Sequence, residues 1–405
     1  MRRNMLKAPA SKRGKFFRNT RYNPSRTQSR GRGKYIDPAT FVNKAIPAAE
    51  QTEFVPRHQF ADFGLLPQLE RTLAIRGFTT PTPVQDGAIP SVLEGRDVIG
   101  LANTGTGKTA AFVLPIIHRL KTELPRGTTA LIIAPTRELA LQIDTDFRAF
   151  AAGLGLYSAL CLGGMNINPQ KKALRRGPHV VIGTPGRLKD LYQQKALRLE
   201  TTSVVVLDEA DRMLDMGFIH DIRFLLDLLP TQRQSLCFSA TIPPGISQLL
   251  DRMLQDPVTV SVRTRETSDH VEQDVIKADS KNHKIEILSE MLNRENFEKV
   301  LVFGETKWGV QRLAERLQKS GHRAEAIHGN KSQPQRQRAL MAFREGKAKV
   351  LVATDVAARG LDIPDVSHVI NFDQPNSRDD YVHRIGRTGR AGKRGHALTF
   401  IGPSA

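Results

Sequence analysis

The feature that most limits how this chain can fold is an alternation that begins near Phe60. Short apolar runs rich in β-branched residues take turns with longer stretches of helical period. The spacing predicts strands at Asp97–Ala102, Ala130–Ala134, Tyr157–Leu162, His179–Gly183, Ser203–Asp208, Ser235–Ser239 and Val258–Val262. Amphipathic stretches lie between them, among them Lys108–Leu120, Arg137–Phe150 and Pro244–Leu254. Such alternation builds a mostly parallel sheet covered by helices on both faces. The polar stretch Arg263–Asp269 interrupts the pattern. A second, shorter series follows at Lys299–Phe303, Arg323–Ile327, Lys349–Ala353, Val366–Phe372 and His396–Ile401. The expected organisation is α/β: a tail at 1–57, a first parallel-sheet lobe at 58–262, a linker at 263–270 and a second lobe at 271–405.

At 405 residues the chain is long enough for two or three domains that each bury a core. No apolar run approaches the roughly 18 residues of a membrane span. The basic N-terminus lacks the apolar segment of a secretory signal. Cys161 and Cys237, the two cysteines, fall in apolar, strand-like stretches. They read as reduced core residues of a cytosolic protein, with a disulfide as the alternative. The net charge of +19 is unevenly placed, since residues 1–35 hold four Lys and eight Arg with no Asp or Glu. A block like that builds no core. It is expected to be disordered and to attract polyanions such as nucleic acid, with a membrane surface or simple solubility as the alternative.

Two motifs carry chemistry. Ala102-Asn103-Thr104-Gly105-Thr106-Gly107-Lys108-Thr109 joins a predicted strand to a predicted helix. Its glycines let backbone N–H groups curl inward around phosphates. Lys108 adds a positive charge for the β- and γ-phosphates, Thr109 a hydroxyl for Mg²⁺, and the helix its N-terminal dipole. Ala102 stands where the strict pattern has its first glycine. Downstream, Asp208-Glu209-Ala210-Asp211 ends the apolar run Val204-Val205-Val206-Leu207. Carboxylates at the end of a buried strand suit a magnesium site: Asp208 would hold the ion through water, and Glu209 would orient and deprotonate an attacking water. A glycine turn and an acidic helix start are the bland readings of each motif alone. In this order and on strand ends, they predict a protein that binds and hydrolyses a nucleoside triphosphate.

That tetrapeptide, together with Ser239-Ala240-Thr241 and His383-Arg384-Ile385-Gly386-Arg387-Thr388-Gly389-Arg390, resembles the DEAD-box ATP-dependent RNA helicases of superfamily 2. The resemblance runs from about Phe60 to the end of the sequence. It implies two RecA-like lobes that close over ATP and RNA, single-stranded or a short duplex. By the same resemblance, Phe78 would stack on adenine and Gln85 would bond its edge, where one donor and one acceptor suit an amide. Phe60 matches an isolated upstream aromatic of the family. Pro135-Thr136-Arg137, Gly164 and Thr184-Pro185-Gly186-Arg187 resemble RNA-contacting motifs of the first lobe.

In the second lobe, Phe303 and Thr306 match a further family motif, and Arg336 and Thr354 would touch RNA phosphates. Asp362 would bond the ATP ribose. Arg387 and Arg390 look like arginine fingers for the γ-phosphate, and His383 is placed to help order the water. Ser239 and Thr241 would couple the acidic motif to RNA by bonding Asp211. Asn330 departs from the family, which has Asp there, and the family's final helix is expected to be missing from the second lobe after His396–Ile401.

With hydrolytic groups and RNA contacts divided between two lobes, ATP and RNA should each favour closure and raise one another's affinity. The resemblance therefore implies ATP and Mg²⁺ as cofactors and a monomeric, cytoplasmic RNA helicase. Its partners would come from RNA decay, ribosome assembly or translation, with none in a membrane. An ATP-gated clamp that grips RNA without unwinding it uses the same residues and is the competing reading. A DNA helicase is a further one.

Overall fold

Why the strands form where they do is plain from their composition and burial. In Val204-Val205-Val206-Leu207 every side chain is buried on one face or the other, as the central strand of a two-sided sheet requires. The computed structural model describes residues 41–42, 54–103, 105–123, 127–262, 271–358, 363, 365–389 and 394–402. The expected linker, Thr104, Asp362, Arg390 and most of the expected tail lie outside the described residues.

The first sheet has seven strands. They are β1 (Val98–Leu101), β2 (Ala130–Ile133), β3 (Ser158–Cys161), β4 (Val180–Gly183), β5 (Val204–Asp208), β6 (Gln234–Ser239) and β7 (Val258–Ser261). Their order is β3-β4-β2-β5-β6-β1-β7, with every adjacent pair parallel. Helices α1 (Pro67–Ile75), α2 (Pro83–Leu93), α3 (Lys108–Glu123) and α4 (Arg137–Phe150) pack on the face that carries Ile132, Ile182 and Val206. Helices α5 (Ile167–Leu174), α6 (Pro185–Gln193), α7 (Ala210–Asp215), α8 (Ile219–Leu226) and α9 (Pro244–Met253) cover the opposite face, with Leu131, Val181 and Val205. The period of two along each strand thus sorts the apolar residues into two cores.

The second sheet has six strands: β8 (Val271–Lys277), β9 (Val300–Phe303), β10 (Ala324–Ile327), β11 (Val350–Ala353), β12 (His368–Asn371) and β13 (Gly395–Ile401). Their order is β10-β11-β9-β12-β13-β8, again all parallel. Its helices are α10 (Lys281–Leu292), α11 (Lys307–Lys319), α12 (Gln333–Arg344), α13 (Asp355–Ala358) and α14 (Arg378–Ile385). Because all strands of a lobe point one way, the loops after them gather at one edge, where α/β sheets bind ligands. One strand, β8, has no counterpart among the expected ones. Among the described residues it pairs with β13 alone, at the sheet edge, so Glu272 and Asp274 can face water, and one of its buried positions is the polar Gln273. Charge at an edge is what keeps such strands from pairing further, and here it hid the apolar alternation.

Cys161 and Cys237 are free and buried, and burial pushes both thiols up to about 12. They are inert core residues. A buried histidine makes the second lobe sensitive to pH. His368, 3% exposed, begins β12 with its ring centroid 3.8 Å from that of Phe297 and 4.8 Å from that of His396. Burial, aided by His396, pulls its pKa down to about 4. The unfolded chain titrates near 6.5, so between about pH 6.5 and 4 it binds a proton that the folded lobe refuses, and stability falls as pH falls. The loss should reach roughly 3 kcal/mol across that window. Urea midpoints at pH 7.5 and 5.0 should differ in the wild type and by less in His368→Phe, where burial still lowers the pKa of His118, His179, His322 and His328. An equal loss in both proteins would reject the assignment.

Candidate active site

The phosphate loop leaves β1 at Ala102, whose N–H donates to the Ser239 carbonyl at 3.0 Å, and it enters α3 at Lys108. Gly105 and Gly107 both take positive φ, 85° and 91°. At Gly107 a side chain is also excluded by space, since a Cβ would lie 2.4 Å from Gln85 Nε2. Thr106 Oγ1 donates to the Asn103 carbonyl at 2.8 Å and closes the curl. The buried Lys108 ammonium donates to the Ala102 carbonyl at 3.0 Å. Gly105, Gly107, Lys108, Thr109, Asp208 and Glu209 line a cleft of about 290 Å³ together with Phe78. The cleft lining belongs to the first lobe.

Asp208 ends β5 at 2% exposure. Burial raises its carboxyl to about 7, opposed by the Lys108 charge and reinforced by that of Glu209. Its Oδ1 has no hydrogen-bond partner within the protein. A buried oxygen without a partner is costly, and a cation beside it would remove the cost. One carboxylate, one hydroxyl from Thr109 and the phosphates of a nucleotide form the donor set that Mg²⁺ prefers, so the residues fit the ion.

Glu209 adopts φ 55°, ψ 54°, a left-handed conformation that costs a residue with a Cβ roughly 1–2 kcal/mol. It turns the chain sharply from β5 into α7, and its carboxylate is ion-paired with the buried Arg212 guanidinium. Two residues on, Asp211 is the hub of a bonded knot. Its Oδ2 accepts from Ala240 N (3.2 Å), Thr241 N (3.0 Å) and Thr241 Oγ1 (3.2 Å), and its own N–H donates to Ser239 Oγ (3.1 Å). The end of β6 is therefore fixed to the acidic motif by four hydrogen bonds.

On the side where the base is expected, the side chains are held by contacts within the first lobe. Gln85 is buried, accepts from Thr82 N at 2.9 Å and donates to the Gly107 carbonyl at 3.1 Å. Its amide ties the phosphate loop to the start of α2. Phe78 meets Phe150 edge-on at 5.6 Å. Phe60, expected at the nucleotide, is 7% exposed and packs behind Phe78 at 6.2 Å, so it supports that ring from the core.

The first-lobe motifs expected at RNA converge at the strand ends. Thr136 caps α4 by accepting from Leu139 N at 3.2 Å. Gly164 lies so close to Arg137 that a Cβ there would overlap its guanidinium. Thr184 Oγ1 accepts from Gly163 N at 3.3 Å, Pro185 and Gly186 open α6, and Arg187 donates twice to the Met165 carbonyl at 3.1 and 3.2 Å. In the second lobe, Thr306 caps α11 through Gly309 N at 2.9 Å, Phe303 ends β9 in the core, and Thr354 lies buried after β11.

Arg336, expected at an RNA phosphate, has its guanidinium ion-paired with Glu138 of the first lobe at 2.9 Å, and Gln333 Nε2 donates to the other Glu138 oxygen at 3.1 Å. Arg387 follows α14 at 3% exposure, and His383 lies in the last turn of that helix. Between them, Arg384 is fully buried. It grips Asp355 through two bonds of 2.6 and 2.7 Å and lies over the Phe303 ring at 5.1 Å. Glu138, Arg212 and the Arg384–Asp355 pair had no roles in the sequence reading. The i, i+3 spacing of Glu209 and Arg212 on a helix start was the one available signal.

Comparison with known proteins is consistent with this geometry. The model of the DEAD/DEAH box helicase family matches residues 82–249, and that of the helicase conserved C-terminal domain matches 283–392. The DEAD-box ATP-dependent RNA helicase CshA of Geobacillus kaustophilus is 46% identical over 345 residues, which is 85% of this chain and 73% of the relative. The ATP-dependent RNA helicase CshA of Listeria monocytogenes is 45% identical over 346 residues, 85% of this chain and 66% of the relative. The chain therefore spans about two thirds to three quarters of the length of these two relatives. Among solved structures, Dbp5 of S. cerevisiae bound to RNA and ADP BeF3 superposes with a TM-score of 0.75 at 31% identity, covering 85% of this chain and 90% of that one. Strand-end acids, phosphate loop and paired lobes thus coincide with both family models, and the chain belongs to the DEAD-box family of ATP-dependent RNA helicases.

Proposed function

We propose that this protein is an RNA-dependent ATPase that couples ATP binding and hydrolysis to local strand separation or remodelling of RNA and RNA–protein complexes. The observation that carries this reading is the cleft in which Lys108, the unpartnered Asp208 oxygen and the ion-paired Glu209 stand together at the ends of parallel strands. Lys108 and the loop N–H groups bind the phosphates. Glu209 takes the proton of the attacking water as its oxygen bonds to the γ-phosphorus and the bond to the ADP oxygen breaks. Mg²⁺, held by Thr109 and Asp208, would neutralise charge on the phosphate oxygens. Phe78 and Gln85 recognise adenine, and Asp362 the ribose. Arg387 and Arg390 stabilise charge on the γ-phosphate from the second lobe, and His383 orders the water.

RNA lies across Pro135, Thr136, Arg137, Gly164, Thr184, Pro185, Gly186 and Arg187 of the first lobe and Arg336 and Thr354 of the second. Its occupancy reaches the acidic motif through Ser239, Thr241 and Asp211. Among the described residues no helix is long and apolar enough to cross a membrane. A monomer working in the cytoplasm with RNA-decay, ribosome-assembly or translation partners completes the proposal.

The test is polymer preference. Single-stranded RNA should stimulate ATP turnover strongly, and DNA of the same sequence little, because the 2′-hydroxyls distinguish the two. Equal stimulation by DNA would sink the RNA assignment. The basic segment adds a second expectation. If residues 1–35 neutralise about five phosphates of a single strand, removing them should flatten the slope of log affinity against log salt by roughly 3 to 4. An unchanged slope would leave the two lobes as the whole RNA-binding machinery.

A further inference from the structure

Phe41 precedes the first lobe in sequence but is buried on the second. It is 0% exposed, while its neighbour Val42 is open to solvent. Its surroundings are Val271 and Val275 of β8, Ala397 of β13, and Tyr381 and Ile385 of α14. The Phe41 and Tyr381 ring centroids lie 4.7 Å apart at 59°. Farther along, the Arg57 and His58 N–H groups donate to Asp86 of the first lobe at 3.0 and 3.1 Å. The chain ahead of α1 is thus attached to both lobes.

We infer that Phe41 is an anchor that docks this part of the chain into an apolar socket on the second lobe and, through that socket, positions α14. Tyr381 and Ile385 are four residues apart and share one face of the helix. The Tyr381 hydroxyl donates to Gln273 Oε1 of β8 at 2.8 Å, so that ring is held at its tip by the sheet and at its side by Phe41. Arg384, bonded to Asp355, holds the helix elsewhere. A helix of eight residues takes its orientation from packing rather than from its own stability. α14 carries His383 and leads directly to Arg387, so a loosened socket would misplace both. Phe41 is in this sense a positioning residue. The kinetic half of the inference rests on the proposed role of Arg387; the packing half does not.

The experiment compares Phe41→Ala, Phe41→Leu and Val42→Ala in the full chain, at a temperature where circular dichroism shows each protein folded. Turnover at saturating RNA, KM for ATP and amide exchange over Tyr381–Arg387 are read together. Phe41→Ala should lower kcat about tenfold through misplacement of groups far from the substitution. It should leave KM for ATP within about twofold, the pattern of a loss confined to the transition state. Exchange in α14 should rise. Phe41→Leu keeps apolar bulk, folds where the alanine variant does not, and should restore most of the turnover. Val42→Ala, beside the anchor at a side chain open to solvent, should leave kcat unchanged. Unaltered exchange in α14, or a loss of turnover that merely follows the unfolded fraction, overturns the inference. Faster exchange with unchanged kcat upholds the dock and instead rejects the role proposed for Arg387.

Discussion

Glu209→Gln should bind ATP nearly as well as the wild type and turn it over 100- to 10,000-fold more slowly, the span typical of losing a positioned general base. The amide keeps the shape of the side chain and can still accept a hydrogen bond from Arg212, but it cannot take a proton from water. Backbone strain at φ 55° is the same for both residues, so the turn from β5 into α7 is preserved. The change does leave the buried Arg212 without its counterion, which costs stability, typically a few kcal/mol. Turnover must therefore be measured well below the melting temperature. The variant should also hold RNA and ATP together for longer, because the step that releases them is blocked. Binding by a fluorescent ATP analogue, single-turnover hydrolysis and RNA dissociation kinetics test the three parts. Hydrolysis within tenfold of wild type would remove Glu209 from its role.

How much of this could be read from the sequence depends on whether a residue's partner is local. The first-lobe strands were legible because six of the seven are apolar runs closed by a motif, and Asp211 was assigned to Ser239 and Thr241, where the structure places its bonds. Contacts between residues far apart in sequence were not legible. Nothing local shows that the Gln85 amide ties Gly107, 22 residues away. Nor does anything local show that Phe60 packs against Phe63 and Phe78. β8 escaped because Gln273, in a buried position, satisfies a tyrosine 108 residues later. The Arg336–Glu138 pair was the least legible, since only the approach of the lobes brings Glu138, 198 residues earlier in the chain by their numbers, to that arginine.

That contact gives the second large effect. Glu138→Gln should weaken the joint binding of RNA and ATP while leaving ATP binding to the free protein unchanged. Glu138 lies on α4 directly after Thr136 and Arg137, and its two oxygens take Gln333 and Arg336 of α12. Burial lowers the Arg336 pKa, the Glu138 charge opposes that shift, and the Arg336 Nε has no partner of its own. The guanidinium is therefore desolvated and depends on a single carboxylate. When the lobes part, both charges return to water and neither is missed; when they meet, an amide at 138 leaves the arginine uncompensated. Removing one member of such a buried pair costs about 2–5 kcal/mol, and here the whole cost falls on the closed arrangement. The RNA- and ATP-bound state should thus lose roughly 30- to 4,000-fold in stability relative to the open one. RNA-stimulated turnover should fall with it, and the amount of RNA needed for half-maximal stimulation should rise. Arg336→Gln alone should behave similarly, and the double variant should be less impaired than the sum of the two, because the stranded charge is gone. A double-mutant cycle read on RNA affinity in the presence of a non-hydrolysable ATP analogue measures the coupling directly. If the two losses simply add, Glu138 and Arg336 act separately, and the link that joins first-lobe RNA contacts to lobe closure must lie elsewhere.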